Sequence, residues 1–313
     1  MADLILHHYP TSPFAEKVRL MLGYKKLAWQ SVMIPVVMPK PDVVALTGGY
    51  RKTPILQIGA DIYCDSALIA DVLERLAPTP TLYPAAAAGL DRILAQWADS
   101  TLFWTAVPFT MQPAGLAFIF PDTPPEHLKA FSADRAAFAP NVTRLRGGDS
   151  TGHVLNYAAR IEAMLGHGKP YLLCDVPSIA DFAVYHSFWF VRRAPPIAAQ
   201  LAHCTLLWQW FERMQAIGQG SAGRMKSAEA IAVAAASQPA QLAAALELNL
   251  HGLAFGDRVA VTPTDTGLDP VEGQLVVSAL NEIAVRRQDA RAGEVVVHFP
   301  RVGFQLKKLE SQA

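Results

Sequence analysis

Apolar residues recur along this chain with three different spacings, and the spacing changes twice. Leu4-Ile5-Leu6 is a short continuous run that predicts a buried strand, and Phe14, Val18, Met21 and Leu22 follow at helical intervals. Ser12 stands where a helix N-cap belongs, and Pro13 takes the first helical position, where its missing N–H is not needed. Thr53-Pro54 precedes a strand at Ile55-Leu56-Gln57-Ile58, Gly59-Ala60-Asp61 makes a turn, and Ile62-Tyr63-Cys64 predicts a second strand. Asp65-Ser66 then opens a helix whose Leu68, Ile69, Val72, Leu73 and Leu76 share one face.

After Ala77 the pattern shifts. Pro78, Pro80 and Pro84 interrupt the chain, and helical periodicity takes over near Gly89 to Phe103, Thr151 to Leu165, Ala180 to Phe190, Leu206 to Ala216 and Ser227 to Ala235. Within this stretch Ser178-Ile179-Ala180-Asp181 has capping-box spacing, with Pro177 and Phe182 at the flanking positions. Beyond Gln238 short alternating segments predict strands at Arg258 to Val261, Gln274 to Val277, Glu282 to Val285, Glu294 to His298 and Gly303 to Leu306. The three spacings divide the chain into residues 1–80 of mixed α/β character, an all-α unit at 85–236, and a small β-rich, barrel-like module at 239–313.

Composition narrows the class. At 313 residues and 51% hydrophobic content the chain can bury substantial cores. Its 27 basic residues balance 27 acidic ones, which gives no electrostatic argument for nucleic acid or an anionic membrane. The N-terminus lacks a cationic segment followed by a signal-like apolar run, so a cytoplasmic enzyme is expected. Thr101 to Phe120 is the most apolar stretch, but Pro108, Gln112, Pro113 and Gly115 argue against a lipid-exposed span. Cys64, Cys174 and Cys204 are widely separated and read as reduced core residues. No metal-ligand spacing appears, since the neighbours His7 and His8 point to opposite faces of a strand, and neither a phosphate-cradling loop nor a dinucleotide fingerprint is present.

The helix start at Ser12 is the chemically suggestive feature. Free N–H groups and the helix dipole favour an anion there. A thiol has a pKa of about 8.5 and is only a few per cent ionised near neutrality; lowering it by two units takes roughly 2.7 kcal/mol. One charge-assisted hydrogen bond contributes about 1.5 to 3 kcal/mol, so a hydroxyl at a helix terminus comes close to supplying it. Alone, the same residues describe an ordinary capped helix.

The succession of Ser-Pro-Phe-Ala at residues 12–15, Thr53-Pro54 before a hairpin, and Asp65-Ser66 at the next helix start resembles the thioredoxin-like domain of glutathione transferases, from about Leu4 to Leu76. The resemblance implies a helical-bundle second domain, glutathione as co-substrate, no metal or redox cofactor, and a homodimer. It assigns activation of the thiolate to Ser12, with Tyr9 and then Thr11 as neighbouring hydroxyls able to replace it. Thr53 and Pro54, the latter with a cis peptide bond, would meet the cysteinyl backbone, while Asp65 and Ser66 hold the γ-glutamyl end. Lys52, with Arg51, is the candidate for the glycyl carboxylate. Members with cysteine at this turn handle disulfides; serine at position 12 instead implies attack by the bound thiolate on a small electrophile. Ser178 and Asp181 resemble a structural folding element of the family's helical domain.

An apolar pocket between the first two units would receive the electrophile. Trp104, Phe109, Met111 and Phe118 are candidates for its wall, although aromatic residues at helical spacing more often form core, as Tyr185, Phe188, Trp189 and Phe190 also do. Two other functions fit the same pattern: a non-catalytic binding or regulatory scaffold, and a glutathione-dependent isomerase or lyase. Ordinary-length glutathione transferases lack the β-rich tail, which the mixed charges of Arg286, Arg287, Lys307, Lys308, Asp257, Asp265, Glu272 and Glu294 suit to packing against the helical domain or a dimer mate.

Overall fold

The computed structural model describes residues 3–240 and 252–310. Strand β1 (Ile5–His8) leads through α1 (Pro13–Tyr24) to β2 (Ala28–Met33), and α2 (Pro41–Thr47) leads to the hairpin β3 (Ile55–Ile58) and β4 (Asp61–Cys64), closed by α3 (Ser66–Leu76). β1 pairs parallel with β2 and antiparallel with β3, and β3 pairs antiparallel with β4. This is the thioredoxin-like arrangement. Its β2 goes unannounced in the hydropathy pattern, because Ala28-Trp29-Gln30-Ser31 offers no clean alternation.

The helical region runs through α4 (Leu90–Trp97), a π-helical turn (Ala98–Leu102), α5 (Phe103–Thr110), α6 (Pro113–Ile119), α7 (Pro125–Phe138), α8 (Gly147–Leu165), α9 (Ile179–Arg192), α10 (Pro195–Ala198) and α11 (Thr205–Gln215). Among the described residues no single helix is long and apolar enough to cross a membrane. Helix α9 is its hub, buried along nearly its whole length and packed against α1, α4 and α5. Its start is the predicted capping box, in which Asp181 accepts from the Ser178 N–H at 2.8 Å, the Ser178 hydroxyl at 3.0 Å, Leu172 N–H at 2.9 Å and Trp210 Nε1 at 2.9 Å. Burial pushes its carboxyl above the usual range in spite of these donors.

A second unannounced strand follows. β5 (Ser221–Met225) returns to the first sheet and pairs parallel with β2, and α12 (Ser227–Ala236) packs against α2. The C-terminal strands β6 (Arg258–Pro263), β7 (Val271–Ser278), β8 (Glu282–Asp289), β9 (Gly293–Pro300) and β10 (Phe304–Lys308) fall where alternation places them. They also extend the first sheet: β9 pairs parallel with β4, giving, among the described residues, ten strands in the order β10-β6-β7-β8-β9-β4-β3-β1-β2-β5.

Strand alternation splits the interior in two. Leu4, Leu6 and Leu56 face α1, α3 and the helical region, whereas Ile5, Ile55 and Ile62 face α2, α12 and the inner residues of the tail, including Val261, Leu275, Val285, Val297 and Phe299. The seam carries a fully buried His298, whose ring reaches Asp61 at 3.0 Å and Glu282 at 2.6 Å and stacks on Tyr63 at 4.4 Å between centroids. Burial disfavours its charged form, but the two carboxylates outweigh it and raise its pKa.

Candidate functional site

Three of the predicted hydroxyls sit at the junction of β1 and α1. Ser12 caps α1 in extended conformation and is 2% exposed; its Oγ accepts from Ala15 N–H at 3.2 Å. That bond uses an acceptor position and leaves the hydroxyl hydrogen available to another atom. The Tyr9 side chain lies against Ser12 and Arg135, and burial raises its pKa, which keeps the phenol a donor rather than a base. Thr11 is exposed, and the Arg193 Nη1 donates to its carbonyl at 3.2 Å.

The wall opposite is built by the approach to β3. The Thr53–Pro54 bond is cis, with Pro54 buried. Lys40, which precedes α2, is 3% exposed; its ammonium reaches Thr53 Oγ1 at 3.4 Å and lies 5.6 Å from the centre of the Tyr9 ring. Burial first, then the like charges of Arg135 and Arg51, lower its pKa to about 8. Asp134 opposes this shift, and an ammonium held by one long hydrogen bond beside two cations and that shared carboxylate can still take a ligand anion. Sequence reading missed Lys40, whose neighbours Pro39 and Pro41 signal only a turn. Arg51 binds Asp134 of α7 at 2.6 Å, and Lys52 pairs with Asp265 from the tail. Both residues of the predicted basic pair are thus matched by an acid from another part of the chain.

At the other end, Asp65 caps α3 by accepting from Ala67 N–H at 2.9 Å and adopts φ of 78°, a left-handed conformation that a non-glycine residue rarely keeps without a local reason. Burial raises its carboxyl pKa, opposed chiefly by Lys52. Ser66 is buried and accepts from the Lys17 ammonium at 3.2 Å. Lys17 also pairs with Asp99 at 2.6 Å, and His186 Nε2 meets the same carboxylate at 2.9 Å. Despite its burial, Asp99 is held below the usual carboxylate range by Lys17 and His186. A positive charge therefore stands beside Ser66, supplied by a lysine within the apolar stripe of α1 between Phe14 and Val18. A charged residue on a buried face was the available signal.

The proposed electrophile wall is not assembled as expected. Phe109 is fully buried in the helical core and Phe118 is 46% exposed, while Trp104 and Met111 are half-buried. Phe14 and Phe103 instead pack edge-on at 4.7 Å, with His186 beside both. Clefts of about 330 Å³, between Asp3, Trp29 and Gly223, and about 350 Å³, between Arg258, Gln274 and Arg286, lie elsewhere on the sheet. Among the described residues no cluster of histidine, cysteine and acidic groups could hold a metal ion.

Residues 6–81 match the family model for the N-terminal domain of glutathione S-transferases. Over nearly its full length the chain is similar to a GST-like protein from Pseudomonas syringae of known crystal structure, at 41% identity, covering 99% of this chain and 100% of that one with a TM-score of 0.82. A glutathione transferase from Phanerochaete chrysosporium shares the fold at 19% identity over 69% of this chain and 98% of that one, with a TM-score of 0.55. A Tau class glutathione S-transferase from mango, Mangifera indica, shares it at 16% identity over 68% and 88%, with a TM-score of 0.51. No curated protein matches the chain.

Proposed function

Because the chain belongs to the glutathione S-transferase family, we propose that it binds glutathione along the line from Asp65 to Lys40 and activates the sulfur beside Ser12 for attack on a small apolar electrophile. The observation that carries this reading is Ser12 itself: a buried serine at a helix start, with its oxygen engaged by Ala15 N–H, Tyr9 as its side-chain partner, and a hydroxyl that can turn its hydrogen to a sulfur anion. Donation from Ser12, aided by the α1 dipole, favours the thiolate and lowers the pKa of the bound thiol.

The remaining residues divide by charge. Ser66 and the N–H groups of α3, with the Lys17 ammonium behind them, suit the γ-glutamyl carboxylate, and the outer part of Asp65 suits the ammonium. Thr53 and Pro54 suit an extended cysteinyl backbone, and Lys40 suits the glycyl carboxylate better than Lys52, whose charge Asp265 already meets. Tyr9 stays protonated and supports Ser12 as a second donor; exposed Thr11 ranks last. Free, buried cysteines at 64, 174 and 204 agree with a reducing cytoplasm, and Leu90 and Ile93, 53% and 68% exposed on α4, are available to a homodimer contact.

The test is retention on immobilised glutathione, followed by conjugation of a generic aryl halide by wild type and Ser12→Ala. Retention with turnover that collapses in Ser12→Ala supports the reading. Retention without turnover favours the binding scaffold, turnover that survives the substitution transfers the role to Tyr9 or Thr11, and loss of both retention and turnover overturns the assignment.

A further inference from the structure

The loop between β6 and β7 leaves the tail and reaches the basic end of the proposed glutathione site. Thr264 anchors it, donating from N–H and hydroxyl to the Gly303 carbonyl at 3.0 and 3.2 Å. Asp265 then pairs with Lys52, whose ammonium also lies 5.7 Å from the centre of the Phe304 ring. Thr266 is 2% exposed, and Gly267 donates its N–H to the Phe138 carbonyl at 2.7 Å, at the end of α7. Gly267 has φ of +59°, and a Cβ there would stand 3.0 Å from the Phe138 ring, so the loop is seated closely on that helix. One turn earlier on α7, Asp134 holds Arg51 at 2.6 Å. Three distant parts of the chain therefore converge on Arg51-Lys52, and each cation there already has an acidic partner.

We propose that Asp265 is a specificity-determining residue: it occupies Lys52 in place of the terminal carboxylate of a tripeptide thiol, and so reduces the site's preference for ligands that carry that carboxylate free. This rests on the proposed binding of glutathione and adds a role for the tail in choosing among its analogues. The charges support it. Lys40 remains as the buried cation of this corner, whereas Lys52, with its side chain 16% exposed, is available to an incoming carboxylate only when Asp265 yields. Asp265 is itself 57% exposed, so its replacement disturbs no buried packing.

The experiment compares dissociation constants for glutathione and for its glycyl monoester in wild type, Asp265→Asn, Lys52→Gln and the double variant, with circular dichroism confirming that each is folded. Asp265→Asn is expected to tighten glutathione about three- to tenfold while leaving the monoester within about twofold, as for removal of a competing exposed charge. Lys52→Gln is expected to abolish that gain in the double variant. An equal change for both ligands, no change, weaker binding of glutathione, or a gain that persists without Lys52 overturns the proposal while leaving the glutathione site intact. Failure of wild type and all variants to bind either ligand overturns the underlying site and the proposal with it.

Discussion

Ser12 and Ser178 each cap a helix, and their surroundings are opposite. At α9 every group in reach is used: Asp181 takes four hydrogen bonds, the Ser178 hydroxyl is spent on that carboxylate, and both residues are fully buried. At α1 the Ser12 oxygen has one backbone donor, its side-chain partner is Tyr9, and the Lys40 ammonium over the Tyr9 ring has one long hydrogen bond. Equal chemistry at a helix start is therefore left in two different states, and the proposed function uses the second. A saturated cap fixes the fold, and an incompletely saturated one keeps capacity for a ligand.

The largest expected effect lies on the saturated side. Asp181→Ala strands the N–H groups of Leu172, Ser178 and Trp210 in the core and should cost about 3–5 kcal/mol in urea denaturation. Turnover per folded molecule should be unchanged; a specific loss of turnover at full stability would erase the distinction between the caps. Ser12→Ala should do the reverse, costing only about 1 kcal/mol of stability. Its conjugation rate at neutral pH should fall by up to about 100-fold if the hydroxyl supplies two pKa units, and the ultraviolet absorbance of bound thiolate should titrate nearer its solution value.

Lys40 sharpens the contrast through pH. Its pKa is about 8 in the folded chain against 10.5 for a free lysine, so the unfolded chain binds the extra proton between those values. Stability carries the full penalty of the buried charge below pH 8 and should rise as pH climbs toward 10.5. Glutathione affinity should move the opposite way, weakening above pH 8 as the ammonium discharges. Calorimetric titration from pH 6.5 to 9.5 checks this, and Lys40→Met should weaken binding about tenfold and flatten the profile. Smaller still, Ser178→Ala should cost about 1 kcal/mol with no change in thiol titration. Thr11→Ala, at an exposed position, should stay within about 0.5 kcal/mol by the same denaturation.

Legibility in the sequence followed locality. Ser12, Asp65 and Ser178 announce themselves because a cap is a property of three or four consecutive residues, and the tail strands do so because alternation is local too. The short β5, Ser-Ala-Gly-Arg-Met, is a strand only because β2 pairs with it, and its mostly exposed residues carry no pattern. Helix α7 buries no apolar residue, so it offers no apolar stripe despite placing Asp134 and Arg135 beside Arg51 and Tyr9. The pairing of Lys52 with Asp265 spans 213 positions and was beyond any motif. What a residue does by itself was readable; what it does because a remote segment arrives was not.

The ladder between β4 and β9 gives the tail a standing that its late place in the chain conceals. Val261, Leu275, Val285 and Phe299 line the same interior as Ile5, Ile55 and Ile62, and the Asp61, Glu282 and His298 clasp closes the seam. Severing the chain near residue 238 would leave β4 with bare amides along one side and an oily surface facing water, a state that invites strand-to-strand aggregation. The extension is thus masonry rather than ornament, and a shortened protein that precipitates would be reporting a breached wall.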